Sequence, residues 1–358
     1  MSNAANLAAA LERNAARRAA KKSGIDLGGA DGGIDLGATA PAALPTALRP
    51  VTRGGVAEAD SLREQVEVLS EQLAVLRAAE FSKPGVNRRA QGVPDVDSDD
   101  ISIESDKVAQ GGFSVLYKGV WRGTDVAIKK PVDPRAGMDA KLRAEFEHEV
   151  EVLSEIRHPN IVLLMGACLR PPKLCMVFEW ATGGSLFEFL HHGQRDFPRP
   201  AMHRVAVGIA TGLVFLHSTS PPIVHRDIKS HNVLIDAELS RVQICDFGLA
   251  MRESDASSAR TGQGTPMYMA PEILRGESYH LASDVYAFGI LLNEMVAREV
   301  PFGGYDVMAI QTRAKAGERP PIPLTCPRAF SQIITQCWHQ DPDRRPRMVQ
   351  VVQQLRAL

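Results

Sequence analysis

The sequence predicts an α+β fold, in which a strand-rich N-terminal lobe is followed by a larger, mainly helical lobe. Apolar and polar residues alternate in short runs from Ile101 to Lys129, which is the period of half-buried strands. After Gly183-Gly184-Ser185 the apolar residues recur mainly with helical spacing. A block of strands followed by a block of helices is typical of α+β domains.

The elements of this domain follow in order from Ile101, where alternation predicts the first strand. Short strands continue through Val126–Lys129. The next helix has one apolar face, formed by Met138, Leu142, Phe146, Val150 and Leu153. Two further strands are predicted over Ile161–Cys168 and Leu174–Phe178. We therefore place one domain over residues 101–358.

The first hundred residues are rich in Ala, Gly, Asp and Arg and nearly lack aromatic residues. Residues 1–57 are predicted to be a disordered N-terminal region, which repeats the unit Gly-Ile-Asp-Leu-Gly before a Pro-rich stretch. Its first 22 residues are basic and Ala-rich, which fits a frayed, solvent-exposed helix or an organelle transit peptide. We favour the frayed helix. Residues 81–100 are predicted to be an acidic linker, which ends in Asp95, Asp97, Asp99 and Asp100.

Residues 58–80 carry the pattern of a short coiled-coil helix. Apolar residues recur at alternating spacings of four and three, at Leu62, Val66, Leu69, Leu73 and Leu76. The stripe could instead pack on the C-terminal domain, because fewer than three heptads make an isolated coiled coil marginal. We favour self-association into a homodimer, because no neighbouring segment offers the stripe another partner.

Composition and charge exclude several classes of protein. The chain has 358 residues and a net charge of −1, which gives no electrostatic basis for binding nucleic acid. The longest apolar run, Ile161 to Leu169, is too short to cross a bilayer, so integral membrane association is not expected. Five scattered cysteines without a C-x-x-C pair fit reduced intracellular thiols. These observations predict a cytoplasmic protein.

Two short motifs carry the chemistry of the domain. The run His225-Arg226-Asp227-Ile228-Lys229-Ser230-His231-Asn232 is followed closely by Asp246-Phe247-Gly248. Phosphoryl transfer needs a carboxylate at the acceptor hydroxyl and oxygen ligands for Mg²⁺ nearby, and these motifs contain both. Val126-Ala127-Ile128-Lys129 lies upstream of them and Ala270-Pro271-Glu272 lies downstream.

In this order, the four motifs resemble those of protein kinases. The resemblance covers Ile101 to Leu358 and implies the bilobal protein kinase fold. Ile161–Cys168, Gly183–Leu186 and Ser283–Gly289 are similar to segments of the tyrosine kinase-like group, specifically of its Raf-like serine/threonine kinases. Such an enzyme would transfer the γ-phosphoryl group of ATP to Ser or Thr hydroxyls of protein substrates in intracellular signalling, with ATP and Mg²⁺ as cofactors.

The resemblance implies catalytic roles for the residues of the two motifs. Asp227 would be the base or orienting group for the acceptor hydroxyl, and Asn232 and Asp246 would bind Mg²⁺. Lys229 would contact the γ-phosphate, and its place two residues after Asp227 is the serine/threonine pattern. Thr265 would contact both Asp227 and Lys229.

Lys129 would supply a positive charge for the α- and β-phosphates, held in place by a glutamate of the following helix. Glu149 fits that glutamate best, because it lies beside the apolar face, and Glu145 is the alternative. Cys245 directly precedes Asp246, and the nearby Lys129 and metal would favour its thiolate. The alternative is an inert thiol that packs as a small buried hydrophobic side chain.

The glycine-rich loop departs from the kinase pattern G-x-G-x-x-G. Its three positions fall on Ala109, Gly111 and Ser114, so we expect a stiffer loop and weaker ATP binding. The full set of predicted nucleotide-binding residues is Val108, Ala109, Gly111, Gly112, Phe113, Ser114, Leu116, Ala127, Lys129, Glu179, Ala181 and Leu234.

Further predictions by resemblance concern structural support and regulation. Asp284 would brace the catalytic loop, and Glu272 would pair with Arg345. An internal spine would consist of Leu153, Leu164, His225 and Phe247. Arg226 suggests control by a phosphate in the activation loop, with Thr261 preferred over Ser254, Ser257 and Ser258.

Two functions from different classes remain open on the sequence alone. The first is an active serine/threonine kinase. The second is a pseudokinase scaffold that assembles partners through residues 58–80, and the altered glycine-rich loop is its only support. Lys129, Glu149, Asp227, Asn232 and Asp246 are all present, which favours the enzyme.

Overall fold

The computed structural model describes residues 92–110, 114–132, 140–170, 172–193, 195–258 and 263–358. The predictions for 1–57, for 58–80 and for the linker up to residue 91 lie outside these ranges. The same holds for Gly111, Gly112, Phe113 and Thr261. The predicted order, strands first and helices afterwards, is confirmed in the described residues.

The N-terminal lobe is built on an antiparallel sheet of β1 (Ile101–Gln110), β2 (Ser114–Trp121), β3 (Thr124–Pro131), β4 (Leu164–Cys168) and β5 (Cys175–Glu179). The order across the sheet is β1-β2-β3-β5-β4. The strand predicted from Ile161 begins only at Leu164, because Ile161 and Val162 pair with Ile244 of the C-terminal lobe instead. These two residues therefore join the lobes.

Helix α1 (Ala140–Glu155) packs its apolar face against the sheet, as its spacing predicts. Phe146, Val150 and Leu153 are all buried. Glu149 is one residue away from Val150, and the turn of the helix carries it to the edge of the same face.

The acidic segment before β1 is packed on the sheet and is not a free linker. Val96 is 1% exposed and lies in a small core with Trp121 and Cys168. Its N–H donates to the carbonyl oxygen of Ala167 at 3.0 Å. A Cβ at Gly166 would lie 2.4 Å from a methyl group of Val96, so only glycine leaves room for this contact. The packed domain thus begins upstream of the boundary predicted at Ile101.

The C-terminal lobe contains seven described α-helices: α2 (Leu186–His191), α3 (Arg199–His217), α4 (Pro271–Leu274), α5 (Leu281–Ala297), α6 (Val307–Lys315), α7 (Arg328–Cys337) and α8 (Met348–Arg356). Helix α5 is buried from Ser283 to Met295, as expected for a helix that is apolar on all sides. Among the described residues, we find no helix with the length and apolar character needed to span a membrane.

Two pairs of short strands position the catalytic motifs between the lobes. β6 (Ile223–Val224) pairs with β9 (Met251–Arg252), and β7 (Val233–Ile235) pairs with β8 (Val242–Ile244). The run 225–232 connects β6 to β7, and the run 245–250 connects β8 to β9. Both connections therefore lie side by side at one edge of the C-terminal lobe.

Candidate active site

Lys129 on β3 meets two carboxylates. Its Nζ lies 2.7 Å from Oε2 of Glu149 on α1 and 3.1 Å from Oδ1 of Asp246. The ion pair thus forms with Glu149 and not with the alternative, Glu145. Burial alone would lower the pKa of Lys129, but the charges of Glu149 and Asp246 outweigh burial and raise the pKa. Lys129 therefore stays charged at neutral pH.

Asp227 is the centre of a dense set of hydrogen bonds. Its Oδ1 accepts from the N–H of Thr265 at 3.0 Å and from the hydroxyl of Thr265 at 2.8 Å. Its Oδ2 accepts from Lys229 at 2.6 Å and from the amide of Asn232 at 3.0 Å. Lys229 also donates to the Thr265 hydroxyl at 2.8 Å. The structure thus places Lys229, Asn232 and Thr265 at hydrogen-bond distance around the Asp227 carboxylate.

Asn232 and Asp246 offer oxygen atoms for a cation. The amide nitrogen of Asn232 donates to the carbonyl and carboxylate oxygens of Asp227, so its amide oxygen is the atom left for a metal. The Asp246 carboxylate is half-exposed, and the charge of Lys129 outweighs burial and lowers its pKa. Within the described residues, no group of three His, Cys, Asp or Glu side chains could hold a metal unaided. One amide and one carboxylate fit Mg²⁺, which takes its other ligands from phosphate and water.

Asp284, near the start of α5, supports the backbone of the catalytic loop. Its two carboxylate oxygens accept from the N–H groups of His225 and Arg226, both at 2.9 Å, and from His217 at 3.0 Å. Burial alone would raise the pKa of Asp284, but the hydrogen bond and charge of His217 outweigh it and lower the pKa. Arg226 adopts a left-handed backbone conformation, with φ of 72°. This conformation is strained in a residue other than glycine, and the hydrogen bonds that the N–H groups of His225 and Arg226 donate to Asp284 hold it in place.

Glu294, at the other end of α5, holds a second part of the site that the sequence analysis missed. Its Oε1 accepts from Ser230 at 2.7 Å and bonds to Nε2 of His191 at 2.9 Å. Its Oε2 accepts from the hydroxyl of Tyr268 at 2.7 Å. Ser230 belongs to the catalytic loop and Tyr268 to the segment after Thr265. A glutamate inside an otherwise apolar helical run is the signal that could have marked this residue.

The guanidinium of Arg226 lies over the ring of Tyr279, 4.3 Å from its centroid. It also donates to the carbonyl oxygen of Leu249 at 3.3 Å and to the side chain of Gln263 at 3.2 Å. The Tyr279 hydroxyl donates to the carbonyl oxygen of Gln263. Arg226 therefore already touches the end of the activation segment, while Thr261 lies outside the described residues.

The predicted nucleotide-binding residues in the described ranges differ in their exposure. Ala127 is buried, Leu116 and Leu234 are half-buried, and Ala109 pairs with Leu116 across β1 and β2. Val108 is exposed, and Ser114 and Ala181 are half-buried. The N–H of Glu179 donates to the carbonyl oxygen of Leu163. Of the two main-chain groups of Glu179, only the carbonyl oxygen is therefore left for the predicted contact with the nucleotide.

The Glu179 side chain has a structural role that the sequence did not predict. Its carboxylate accepts from the N–H of Leu163 at 2.9 Å and from Arg241 at 2.6 Å. Arg241 precedes β8 in the C-terminal lobe, so the Glu179 carboxylate connects the two lobes.

The predicted activation of Cys245 is wrong. Burial, reinforced by the negative charge of Asp246, raises the pKa of the Cys245 thiol, and this outweighs the effect of Lys129. The thiol is therefore protonated at neutral pH and is not activated as a nucleophile.

The predicted pair of Glu272 and Arg345 is present, and one contact of the predicted spine is seen. Arg345 reaches both carboxylate oxygens of Glu272, at 2.6 and 2.7 Å, and both side chains are buried. His225 and Phe247 stack edge to face with centroids 4.9 Å apart, in the same core cluster as Leu153 and Leu164.

Comparison with known proteins agrees with this geometry. The family model described as protein tyrosine and serine/threonine kinase matches residues 103–355. A "Probable serine/threonine-protein kinase" of Dictyostelium discoideum is 41% identical over 258 residues, which are 71% of this chain and 27% of that protein. The Dictyostelium protein "Probable serine/threonine-protein kinase drkA" is 34% identical over 79% of this chain and 44% of its own length.

A human relative shows a similar likeness. The Homo sapiens "Mitogen-activated protein kinase kinase kinase 11" is 39% identical over 259 residues, which are 69% of this chain and 30% of that protein. The chain thus spans less than half the length of each of these three relatives. The site geometry and the match over residues 103–355 lead to one conclusion: the chain belongs to the protein tyrosine and serine/threonine kinase family.

Proposed function

We propose that the chain is an active serine/threonine protein kinase, which uses ATP and Mg²⁺. The observation that carries this proposal is the group formed by Asp227, Lys229, Asn232 and Thr265, which faces Lys129 and Asp246. Asp227 thus offers a carboxylate for an acceptor hydroxyl, and Asn232 and Asp246 offer oxygen atoms for a metal. A scaffold without catalysis would have no use for so many charged groups held at hydrogen-bond distance.

When bound, ATP would supply the phosphoryl group, and Mg²⁺ would neutralise charge on its phosphates. Asn232 and Asp246 would hold the metal, and Lys129 would bind the α- and β-phosphates. Each oxygen of Asp227 already accepts two hydrogen bonds, so an incoming hydroxyl needs one of these donors to leave. Lys229 is the donor that can move, because the γ-phosphate would attract its charge. Asp227 Oδ2 would then orient the hydroxyl and accept its proton.

Serine or threonine is the proposed acceptor. Lys229 bridges Asp227 and Thr265, which is the arrangement that the serine/threonine pattern of the loop implies. The three relatives reported above are also described as serine/threonine kinases or as a kinase of a mitogen-activated cascade. Protein substrates are proposed on the same grounds.

We further propose that a phosphate on Thr261 raises activity. Arg226 holds Gln263, two residues after Thr261, so the guanidinium lies within reach of a phosphate in that segment. A charge of about −2 on such a phosphate would pair with Arg226 and order the activation segment.

The test is incorporation of labelled phosphate by the full chain with Mg²⁺ and γ-labelled ATP, followed by phosphoamino-acid analysis. We expect phosphoserine and phosphothreonine, and loss of nearly all incorporation in Asp227→Asn, since Asp227 orients the acceptor. Asp343→Asn, an exposed aspartate outside the site, is the matched control and should behave like wild type. If the wild-type chain incorporated no more phosphate than Asp227→Asn, the result would favour the pseudokinase scaffold.

A further inference from the structure

A cleft of about 550 Å³ opens in the C-terminal lobe, separate from the catalytic motifs. Its walls come from the end of α5, from the connection between α5 and α6, and from residues 318–321 after α6. Concave sites of roughly 300 to 1,000 Å³ are the usual size for ligand binding. Neither the proposed catalytic reaction nor the nucleotide uses this cleft.

Exposed apolar side chains gather around the cleft. Val300 and Tyr305 line it, and Val307 and Met308 follow on the first turn of α6, with 52% and 79% of their surfaces exposed. Of the eleven large hydrophobic residues exposed in the described parts of the chain, five lie between residues 300 and 324. Such clustering marks a surface that binds another protein.

A buried acceptor in the wall of the cleft has no partner. Asn293 on α5 is 2% exposed and donates its amide nitrogen to the carbonyl oxygen of Pro321 at 3.2 Å. Its Oδ1 makes no hydrogen bond with any described residue. An unsatisfied buried acceptor is unfavourable, so a ligand that brings an N–H group to this atom would gain affinity.

Two guanidinium groups in the wall have no carboxylate partner among the described residues. Arg298 donates to main-chain carbonyl oxygens between residues 189 and 195, at 2.7 to 3.4 Å. Arg319 donates to main-chain carbonyl oxygens and to the side chain of Gln340. These bonds fix both side chains in place, and neither guanidinium forms an ion pair with a described carboxylate.

The other charges near the cleft do not cancel these two. Glu318 pairs with Arg313, and that guanidinium also lies over the ring of Tyr305 at 4.1 Å. Glu294 is fully buried and bonds to His191. Glu299 is exposed at the rim. The wall therefore presents a net positive charge beside its apolar surface, which is complementary to an anionic ligand.

We infer that this cleft binds an acidic peptide segment of a partner protein. A carboxylate of the segment faces Arg298 and Arg319, a main-chain N–H donates to Oδ1 of Asn293, and an apolar side chain packs on Val300 and Tyr305. The three contacts select peptides that carry an acidic residue next to an apolar one. The binding does not depend on catalysis, so it is measured without ATP.

The probe is a pair of libraries of twelve-residue peptides, whose variable positions contain Asp, Glu, Leu and Phe in one library and Lys, Arg, Leu and Phe in the other. The full chain is immobilised, and the strongest binder of each library is labelled with fluorescein. Its affinity is measured in solution by anisotropy. We expect saturable binding from the acidic library and none from the basic one.

Three variants locate the binding. Val300→Glu places a carboxylate at the cleft, and we expect it to weaken the acidic peptide about tenfold by repulsion and by competition for the guanidinium groups. Val300→Lys alters the same side chain with the opposite charge and should bind within about threefold of wild type. Val349→Glu makes the same substitution at an exposed valine on α8, away from the cleft, and should leave binding unchanged.

Two results would overturn the inference. One is the absence of any saturable acidic peptide, or a preference for the basic library. The other is an equal loss of affinity in Val300→Glu and Val349→Glu, since this would place the peptide elsewhere. Circular dichroism of each variant, compared with wild type, shows whether the variant is folded, and both valines are exposed, so neither substitution removes a core side chain.

Discussion

The two halves of the active site are held in different ways. The catalytic loop is anchored by buried side chains of one central helix, with Asp284 at its start and Glu294 near its end. The nucleotide side is held across the lobes mainly by Lys129, through Glu149 on α1 and Asp246 of the C-terminal lobe. The acceptor half is therefore part of the core of the C-terminal lobe. The nucleotide half depends instead on the position of helix α1.

This difference indicates where the site can be adjusted. A movement of α1 would break the Lys129–Glu149 pair without disturbing the bonds to Asp227, because α1 contributes no atom to them. A movement of the catalytic loop would instead break hydrogen bonds inside the C-terminal core. We therefore expect changes in the nucleotide half to alter activity with little loss of stability, and changes in the supports of the acceptor half to alter stability as well.

The largest expected effect is that of Lys129→Met on catalysis. Removing the charge leaves Glu149 and Asp246 facing each other and takes a cation from the phosphates, so kcat/KM should fall about 10³-fold, or about 4 kcal/mol. Steady-state kinetics at saturating protein substrate measure the loss. Lys130→Met, on the other face of the same strand, is the control and should retain most activity. Equal losses in both would contradict the assignment.

The next effect tests the stability of the C-terminal lobe, which carries the acceptor half. Glu272→Gln breaks a buried pair with Arg345 and should lower the free energy of unfolding by about 3 kcal/mol at pH 7. Glu277→Gln, in the exposed pair with Arg275, should cause no measurable change. Urea denaturation followed by circular dichroism measures both.

The same pair gives a dependence on pH. Burial alone would raise the pKa of Glu272, but hydrogen bonds and charge from Arg345 outweigh it and lower the pKa below its ordinary 4.5. The stabilisation is thus fully present above pH 4.5 and is lost as the pH falls through the lowered pKa. The difference between wild type and Glu272→Gln should shrink on acidification, and a constant difference would show that charge is not the cause.

A smaller effect is expected when the second anchor of the catalytic loop is weakened. Glu294→Gln keeps the size of the side chain but replaces one of its two acceptor oxygens by an NH₂ donor. The variant therefore cannot accept hydrogen bonds on both sides, from Ser230 and from Tyr268, so kcat should fall about tenfold. KM for ATP should stay unchanged, because the nucleotide half is untouched. Glu299→Gln, just beyond the same helix, is the control. A rise in KM for ATP at constant kcat would contradict the separation of the two halves.

The smallest effect concerns the altered glycine-rich loop. Ala109→Gly restores one glycine of the kinase pattern and lets the backbone approach phosphate more closely, so KM for ATP should fall about threefold. Ser102→Gly lies on the same strand but outside the loop and controls for loosening of β1. If both variants lower KM equally, the loop residue itself is not responsible.

The sequence predicted the parts of the site that lie close together along the chain. Asp227, Lys229 and Asn232 occupy one short loop, so their proximity follows from their spacing alone. Glu149 was preferred because helical periodicity places it beside the apolar face of α1. This local geometry was enough to prefer it to Glu145, which lies one helical turn earlier.

The missed parts depend on contacts between distant segments. Glu294 lies more than sixty residues from Ser230 and about a hundred from His191, so no local pattern names its partners. The segment before β1 reads as a linker because its aspartates dominate the pattern, and the one apolar side chain that decides its packing, Val96, is matched only by the space at Gly166. Cys245 was misjudged because the positive charge of Lys129 was given more weight than burial and the negative charge of Asp246.

Helix α5 also fixes the spacing between the two side chains that anchor the catalytic loop. Asp284 and Glu294 are ten residues apart, which corresponds to about 15 Å along a helix axis. The catalytic loop is held at both ends of this interval, at His225 by Asp284 and at Ser230 by Glu294, so the pitch of the helix and the length of the loop have to agree. One residue inserted into α5 between the two anchors would rotate Glu294 by about 100° and carry it away from Ser230. The number of residues between the two anchors is therefore fixed by the loop that they hold.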